Sequence, residues 1–142
     1  MNIKYLLSVL IFAVAMVSCD GYDRDSYDFS NSLPNYVEFS SIKALSVAAG
    51  ANAAFTVVTR SSYSKDVNVT VKIEGGSIET ASKVIVLKKM TTSIASNFTI
   101  PASTPSGSGF KITIVSASSD RIESIRLGRV SATTTVINGT VK

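Results

Sequence analysis

The clearest structural element in the sequence is Asp66-Val-Asn-Val-Thr-Val-Lys-Ile-Glu74. From Val67 to Ile73 every second residue is a β-branched apolar residue, and the residues between them are polar. Successive side chains of a β-strand point to opposite faces, so this alternation indicates a strand with one buried and one solvated face. Gly75-Gly76 follows at once and supplies the backbone freedom of a tight turn. The stretch therefore predicts a strand that ends in a hairpin.

Similar short segments recur along the chain at intervals of about ten residues, separated by turn signals. They are Asn35–Phe39 after Pro34, Ala53–Thr59 after Gly50-Ala-Asn52, Val84–Leu87 before Lys88-Lys89, Asn97–Ile100 before Pro101, Phe110–Ile114 after a Ser/Gly loop, and Thr133–Ile137, which a turn at Asn138-Gly139 is expected to close. Ile78 is expected to begin a short return strand. This pattern predicts an all-β fold for residues 35–142, a single antiparallel immunoglobulin-like β-sandwich of seven or eight strands.

One segment, Asp120–Gly128, fits two local structures. Asp120 and Glu123 have the spacing of a helix capping box, and Gly128 is a suitable terminator for a short helix. Glu123, Ile125 and Leu127 also fit a strand. We favour strand or loop here.

The first 18 residues have the layout of a secretory signal peptide. Lys4 supplies a positive charge, Tyr5–Val17 is an apolar run broken only by Ser8, and Ser18 is the small residue before the expected cut. The run is shorter than the roughly 20 residues that a membrane-spanning helix needs. We therefore predict that residues 1–18 are removed and that the mature protein begins at Cys19.

Cys19 is the only cysteine of the chain, and Met16-Val-Ser-Cys19 resembles the lipobox of bacterial lipoproteins. The resemblance implies cleavage between Ser18 and Cys19, a diacylated thiol and often an acylated new amine. Met16 departs from the usual leucine at its position. The alternative is a signal peptide that happens to end near a buried cysteine. Two or three acyl chains hold a protein on a membrane far more firmly than one chain does.

Residues 19–34 are expected to form an acidic tether. Its acidic residues, opposed only by Arg24, are Asp20, Asp23, Asp25 and Asp28. This stretch resembles the surface-export signal of Bacteroidota lipoproteins, which implies a lipid-anchored protein of the bacterial outer membrane that is exposed at the cell surface. Two other interpretations are a solvated spacer and a calcium site, although the spacing lacks the pattern of a dedicated calcium loop.

Three segments of the body widen the resemblance. Asp66–Ile73, Phe98-Thr-Ile-Pro-Ala102 and Gly109-Phe-Lys-Ile-Thr-Ile114 resemble the strand order of small immunoglobulin-like or Calx-beta-like domains, which recur in Bacteroidota surface lipoproteins. The resemblance covers residues 35–137 and implies the fold. The acidic residues that bind calcium in Calx-beta domains have no clear match in this sequence, so the resemblance implies no calcium site.

The composition excludes the common catalytic designs. The chain has no histidine, and its one thiol is assigned to lipid, so triad catalysis and cysteine-based zinc sites are both excluded. No phosphate-binding glycine loop is present. A small hydrolase with two carboxylates remains as an alternative, because Glu74 and Glu79 bracket a predicted turn. We expect no enzymatic activity, no metal and no cofactor.

The loop Arg60-Ser-Ser-Tyr-Ser-Lys65 is the best candidate for a ligand-binding site. Tyr63 is the best candidate for an exposed aromatic residue, next to the cations Arg60 and Lys65; the alternative, which we favour, is a loop tyrosine that packs on its neighbours. The other aromatic residues of the predicted strands are assigned to the core: Phe39, Phe55, Phe98 and Phe110.

These observations predict a non-enzymatic lipoprotein of the cell envelope that acts as a binding or assembly module. It would work through loops at one end of the sandwich or through an exposed sheet edge. Its partners would be the membrane and a glycan or neighbouring envelope proteins, and the scattered basic residues exclude nucleic acid. The alternative is a glycan-binding accessory protein of a polysaccharide-utilisation system, although tryptophan, the residue best suited to stack on sugars, is absent.

Overall fold

The computed structural model describes residues 35–120, 125–129 and 131–142. The predicted signal peptide and tether lie outside the described residues. The elements are β1 Tyr36–Phe39, β2 Leu45–Val47, β3 Asn52–Thr59, β4 Val67–Gly75, β5 Ile78–Leu87, β6 Ser93–Thr99, β7 Gly109–Ser118, β8 Arg126–Leu127, a 3-10 helix Ala132–Thr135 and β9 Val136–Val141. In this part of the chain no helix is long and apolar enough to cross a membrane.

The strands form two sheets that pack face to face. One sheet has the order β6-β3-β1-β8 and the other has the order β2-β9-β7-β4-β5. The prediction of an all-β sandwich is confirmed. Most neighbouring strands are antiparallel, but β1 pairs with β8 and β2 pairs with β9 in parallel. The short strand β2, which no sequence pattern indicated, and the short strand β8 account for the two parallel pairs.

The alternating residues 67–73 lie in β4, the strand between β5 and β7. Its four apolar residues point into the space between the sheets and are almost fully buried, while Asn68, Thr70 and Lys72 face outward. Phe55 of the opposite sheet stacks on Phe98 at 5.8 Å between ring centroids and meets Phe39 edge-on at 5.5 Å. All four phenylalanines that were assigned to the core are buried.

The predicted turn at Asn138-Gly139 is wrong, because both residues lie inside β9. Gly139 stands opposite Phe110 of β7, and a Cβ atom at position 139 would overlap three carbons of the Phe110 ring. The glycine is therefore required by close packing and not by a turn. The preceding residues Thr133–Thr135 belong to the 3-10 helix, so the last strand begins later than predicted.

Two predicted segments prove to be one strand. Ile78 and Val84–Leu87 are the two ends of β5, a ten-residue edge strand whose polar middle hid its continuity. At Asp120–Gly128 the residues 121–124 lie outside the described part, so the capping-box hypothesis is not tested there. Arg126–Leu127 forms the short strand β8, as favoured, and it pairs with Tyr36–Val37.

Candidate functional site

Strand directions place the loops at two opposite ends of the sandwich. The register pairs Val37 with Thr59, Val67 with Leu87 and Asn68 with Ser118, so the loops next to these residues share one end with Asn35. We call this the basal end; its described loops are 60–66, 88–92 and 119–120. The distal end carries the loops 40–44, 48–51, 76–77 and 100–108.

Charge is distributed unevenly between the two ends. The described basal loops contain four cations, Arg60, Lys65, Lys88 and Lys89, against two anions, Asp66 and Asp120. The distal loops contain one charged residue, Lys43, and are otherwise built of small or apolar residues. The described basal loops are therefore dense in charged residues, with a net charge of +2, whereas the longer distal loops hold a single cation and a net charge of +1.

Asp66 fixes the shape of the basal end. Its carboxylate accepts a hydrogen bond from the Lys89 backbone N–H at 2.8 Å and one from Lys88 Nζ at 3.0 Å. These two bonds, the backbone bond first, hold the pKa of Asp66 below its usual range. The Met90 N–H donates to the Tyr63 carbonyl at 2.8 Å, which ties the 88–92 loop to the 60–66 loop.

The hypothesis that Tyr63 is exposed is wrong, because the residue is only 6% accessible and belongs to the hydrophobic core, as the alternative of a packed loop tyrosine predicts. Burial, and secondarily the neighbouring Tyr36, raises the pKa of its hydroxyl. Arg60 and Lys65 remain on the surface, but the ring that was expected to link them into one site points inward. A binding role for Arg60 and Lys65 stays a prediction, without an aromatic platform.

Replacing Tyr63 by phenylalanine is expected to stabilise the protein by about 1 kcal/mol. The hydroxyl is buried and has no hydrogen-bond partner among the described residues, and burying such a group costs about 1–3 kcal/mol. Denaturant unfolding of Tyr63→Phe measures the change. A loss of stability of similar size would show that the hydroxyl is bonded in solution, and Tyr36→Phe serves as the matched control.

Stacking on sugars requires an exposed aromatic face, and the described residues offer none. All of their aromatic side chains are buried: Tyr36, Phe39, Phe55, Tyr63, Phe98 and Phe110. A glycan-binding site in this part of the protein would therefore depend on hydrogen bonds alone.

Two open depressions lie at the distal end. The first, of about 470 Å³, is lined by Glu74, Gly75, Gly109, Phe110, Lys111, Asn138 and Gly139. The second, of about 370 Å³, is lined by Ile73, Ile78, Glu79, Thr80, Ala81, Phe98, Thr99 and Pro101. The predicted pair Glu74 and Glu79 is thus divided between the two, with one carboxylate in each. Neither depression has the two carboxylates that a hydrolase of the proposed kind needs.

Glu74 is held by two lysines on the outer face of the sheet. Its carboxylate lies 2.5 Å from Lys72 Nζ and 2.9 Å from Lys111 Nζ. Hydrogen bonds from Lys111 and then from Lys72 lower the pKa of Glu74 to about 2. A general acid at neutral pH needs a raised pKa, so Glu74 is unsuited to that role.

Stability at low pH should depend on Glu74. Its pKa is depressed in the folded protein, so its contribution is present above the unfolded value near 4.5 and is lost as the pH falls towards 2. We expect Glu74→Gln to flatten the pH dependence of the unfolding free energy across that interval. Urea unfolding at a series of pH values measures this slope, and Glu79→Gln is the control. Identical slopes for Glu74→Gln and the parent would contradict the prediction.

Lys83 makes the exposed edge of β5 a poor site for binding another strand. This residue lies on the edge strand β5, yet its ammonium group reaches across to β6, donates to the Asn97 carbonyl and lies 5.1 Å from the centre of the Phe98 ring. Charged residues that point inward from an edge strand discourage the addition of another strand. The loops are therefore better candidates for binding than the β5 edge.

Comparisons with known proteins support the fold alone. No family model and no curated protein matches the sequence. Among solved structures, the apo form of the Calx CBD1 domain superposes with a TM-score of 0.57 at 11% identity, over 75% of this chain and 95% of that domain. CBD12 from CALX1.2 and the calcium binding domain CBD12 of CALX1.1 give TM-scores of 0.57 and 0.56 at 11% and 12% identity. This chain has a Calx-beta-like sandwich fold.

The structural match covers only part of the longer CBD12 structures and concerns the fold. The chain covers 43% and 44% of the two longer CBD12 structures, less than half of each. No group of three or more metal-binding side chains occurs in the residues that the structure describes. At 11–12% identity the match shows the fold alone, and the calcium binding in the name of the CALX1.1 domain is a property of that neighbour.

Proposed function

We propose that this chain is a non-enzymatic binding or assembly module of the bacterial envelope, anchored by lipid at Cys19. Its distal end would face the partner. The observation that carries this proposal is the position of Asn35 at the basal end, opposite both depressions. A domain that is tethered at its basal end leaves its distal loops free to meet another molecule.

The chemistry of the distal end favours binding over catalysis. Its depressions are open, each has a single carboxylate, and one of these is locked between two lysines. Loops on a rigid sandwich are common positions for binding residues. We infer that a neighbouring envelope protein is the partner, because a broad surface of small side chains suits shape recognition. A glycan would have to rely on Asn138, Lys111 and Glu74 for hydrogen bonds.

The anchor is tested by replacing Cys19 with serine. Without the thiol no acyl chain can be attached, so we expect the variant to lose the tightly bound, detergent-extractable membrane fraction of the parent. Cell fractionation measures the loss, and mass spectrometry of the parent should show a first residue Cys19 that carries acyl chains. A parent that retains residues 1–18, or that has no acyl chains, would overturn the anchor.

The distal surface is tested by photocrosslinking in intact cells. A photoreactive residue at Ser106, in the 100–108 loop, should give a defined adduct, and the same residue at Ser62 of the basal end should not. Both serines are exposed, so the two positions are matched in accessibility. Adducts at Ser62 with none at Ser106 would reverse the assignment of the binding end.

A further inference from the structure

We propose that the basal end lies against the membrane, with Lys65, Lys88 and Lys89 on the phosphate groups of anionic lipids and Met90 in the headgroup layer. This inference rests on the proposed lipid anchor. It adds a second contact, made by the folded domain itself, which sets the direction in which the distal end points.

The cations of this surface are displayed towards solvent. Lys65 and Lys89 are exposed, and the side chain of Lys88 remains 71% accessible although it pairs with Asp66. The bonds from Asp66 to the Lys89 N–H and to Lys88 fix both lysines beside the 60–66 loop. The result is a cationic surface of defined shape, and such a surface is complementary to anionic headgroups.

Met90 gives this surface an apolar tip. Its side chain is 73% exposed, the highest value among the large exposed apolar residues of the described part. Its φ of 63° is in the left-handed region that favours glycine, so the loop holds methionine where a residue without a side chain would fit more easily. The bond from its N–H to Tyr63 keeps it at the tip. Membrane-surface segments combine basic residues with exposed apolar ones, as Lys88, Lys89 and Met90 do here.

Attachment next to Asn35 puts the basal end nearest the predicted anchor, but it does not by itself bring the basal lysines to the membrane. Sixteen residues reach at most about 55 Å when fully extended, at roughly 3.4 Å per residue, whereas the ten-residue strand β7 is about 33 Å long. A direct contact of the basal lysines with the membrane would add to the preference that the attachment sets. Each basic residue near an anionic surface favours contact about fivefold, so Lys65 and Lys89, whose side chains do not bond Asp66, favour contact of the basal end about 25-fold.

The test places a fluorophore at each end of the acylated protein. Cys19 has no free thiol when it is acylated, so Met90→Cys and, as the distal control, Ser106→Cys each provide one labelling site. The labelled proteins are reconstituted into vesicles of phosphatidylcholine, alone or mixed equally with phosphatidylglycerol, that contain a headgroup-linked quencher. We expect strong quenching at position 90 in the anionic vesicles, weak quenching at 106, and loss of the difference at high salt.

Charge variants distinguish the contribution of the basal lysines to membrane contact from that of the lipid anchor. Lys65→Gln combined with Lys89→Gln should lower the ratio of quenched to unquenched label at position 90 about 25-fold, whereas Lys43→Gln at the distal end should leave this ratio unchanged. Equal quenching at 90 and 106, or quenching at 90 that ignores lipid charge, overturns the inference while the anchor stands. If the protein does not float with the vesicles, or if the parent chain itself takes up the thiol label, the proposal of a lipid anchor at Cys19 is wrong. The inference about the basal end is then wrong with it.

Discussion

Replacing Gly139 by alanine is expected to destabilise the protein by about 3 kcal/mol, because the added methyl group has no room. The Phe110 ring lies directly over Gly139 in the neighbouring strand, where a Cβ atom would overlap three ring carbons. The ring is buried between the sheets and cannot move towards solvent without exposing apolar area. Chemical denaturation of Gly139→Ala and of the parent measures the difference.

A double-mutant cycle isolates this packing. Phe110→Ala alone should cost about 3–5 kcal/mol because it leaves a cavity. In that background the space over position 139 is open, so Gly139→Ala should cost little, and the two changes should be far from additive. Gly76→Ala is the control glycine substitution, since nothing lies near the position of its missing side chain. Additive effects would show that the ring does not determine the requirement for glycine.

Ile112→Ala should destabilise the protein by about 4 kcal/mol, the loss that is typical of a large apolar side chain in a rigid core. Ile112 is fully buried in β7, between Ile73 of β4 and Ile137 of β9. Both neighbouring strands are held by the sheet, so the cavity cannot collapse easily. Thermal and denaturant unfolding of the variant provide two measures of the loss.

The matched control lies on the outer face of the same sheet. Val84 of β5 is 59% exposed, so Val84→Ala should change stability by less than about 0.5 kcal/mol. Ile112→Val should fall between the two, at about 1 kcal/mol. If Val84→Ala were as damaging as Ile112→Ala, the assignment of inner and outer faces would be wrong, and with it the register of β4 and β5.

Local pattern was sufficient to predict the strands that face the core. The alternation from Val67 to Ile73 fixed both the existence of β4 and which of its faces is buried, and Phe110–Ile114 did the same for β7. Both segments have strong periodicity and lie at the centre of their sheet, where neighbours on both sides reinforce the same alternation. The sandwich could therefore be predicted from residues that are close in sequence.

Features that depend on distant residues could not be predicted in the same way. Asn138-Gly139 has the composition of a turn, and only the Phe110 ring opposite it explains why a glycine lies inside a strand. The strand β2 has three residues and no periodicity, and it exists because β9 offers it an edge. Such elements are determined by tertiary pairing.

The candidate site was the least predictable part. The sequence around Tyr63 is polar, which favours an exposed ring, but the loop folds back and buries it between the sheets. The difference in charge between the basal and the distal loops could not be predicted either, because it depends on the strand directions. Each charged residue was visible in the sequence, but their common location depends on which loops share an end.

The parallel pairing of β2 with β9 has a consequence for how the protein is made. Leu45 lies beside Gly139 and Val47 beside Val141, so an early strand of the five-stranded sheet has no neighbour there until the last strand is in place. A nascent chain that is threaded through a channel with its amino terminus first cannot complete this sheet in transit. Until residues 136–141 have emerged, β2 has no strand to pair with, and the five-stranded sheet stays incomplete.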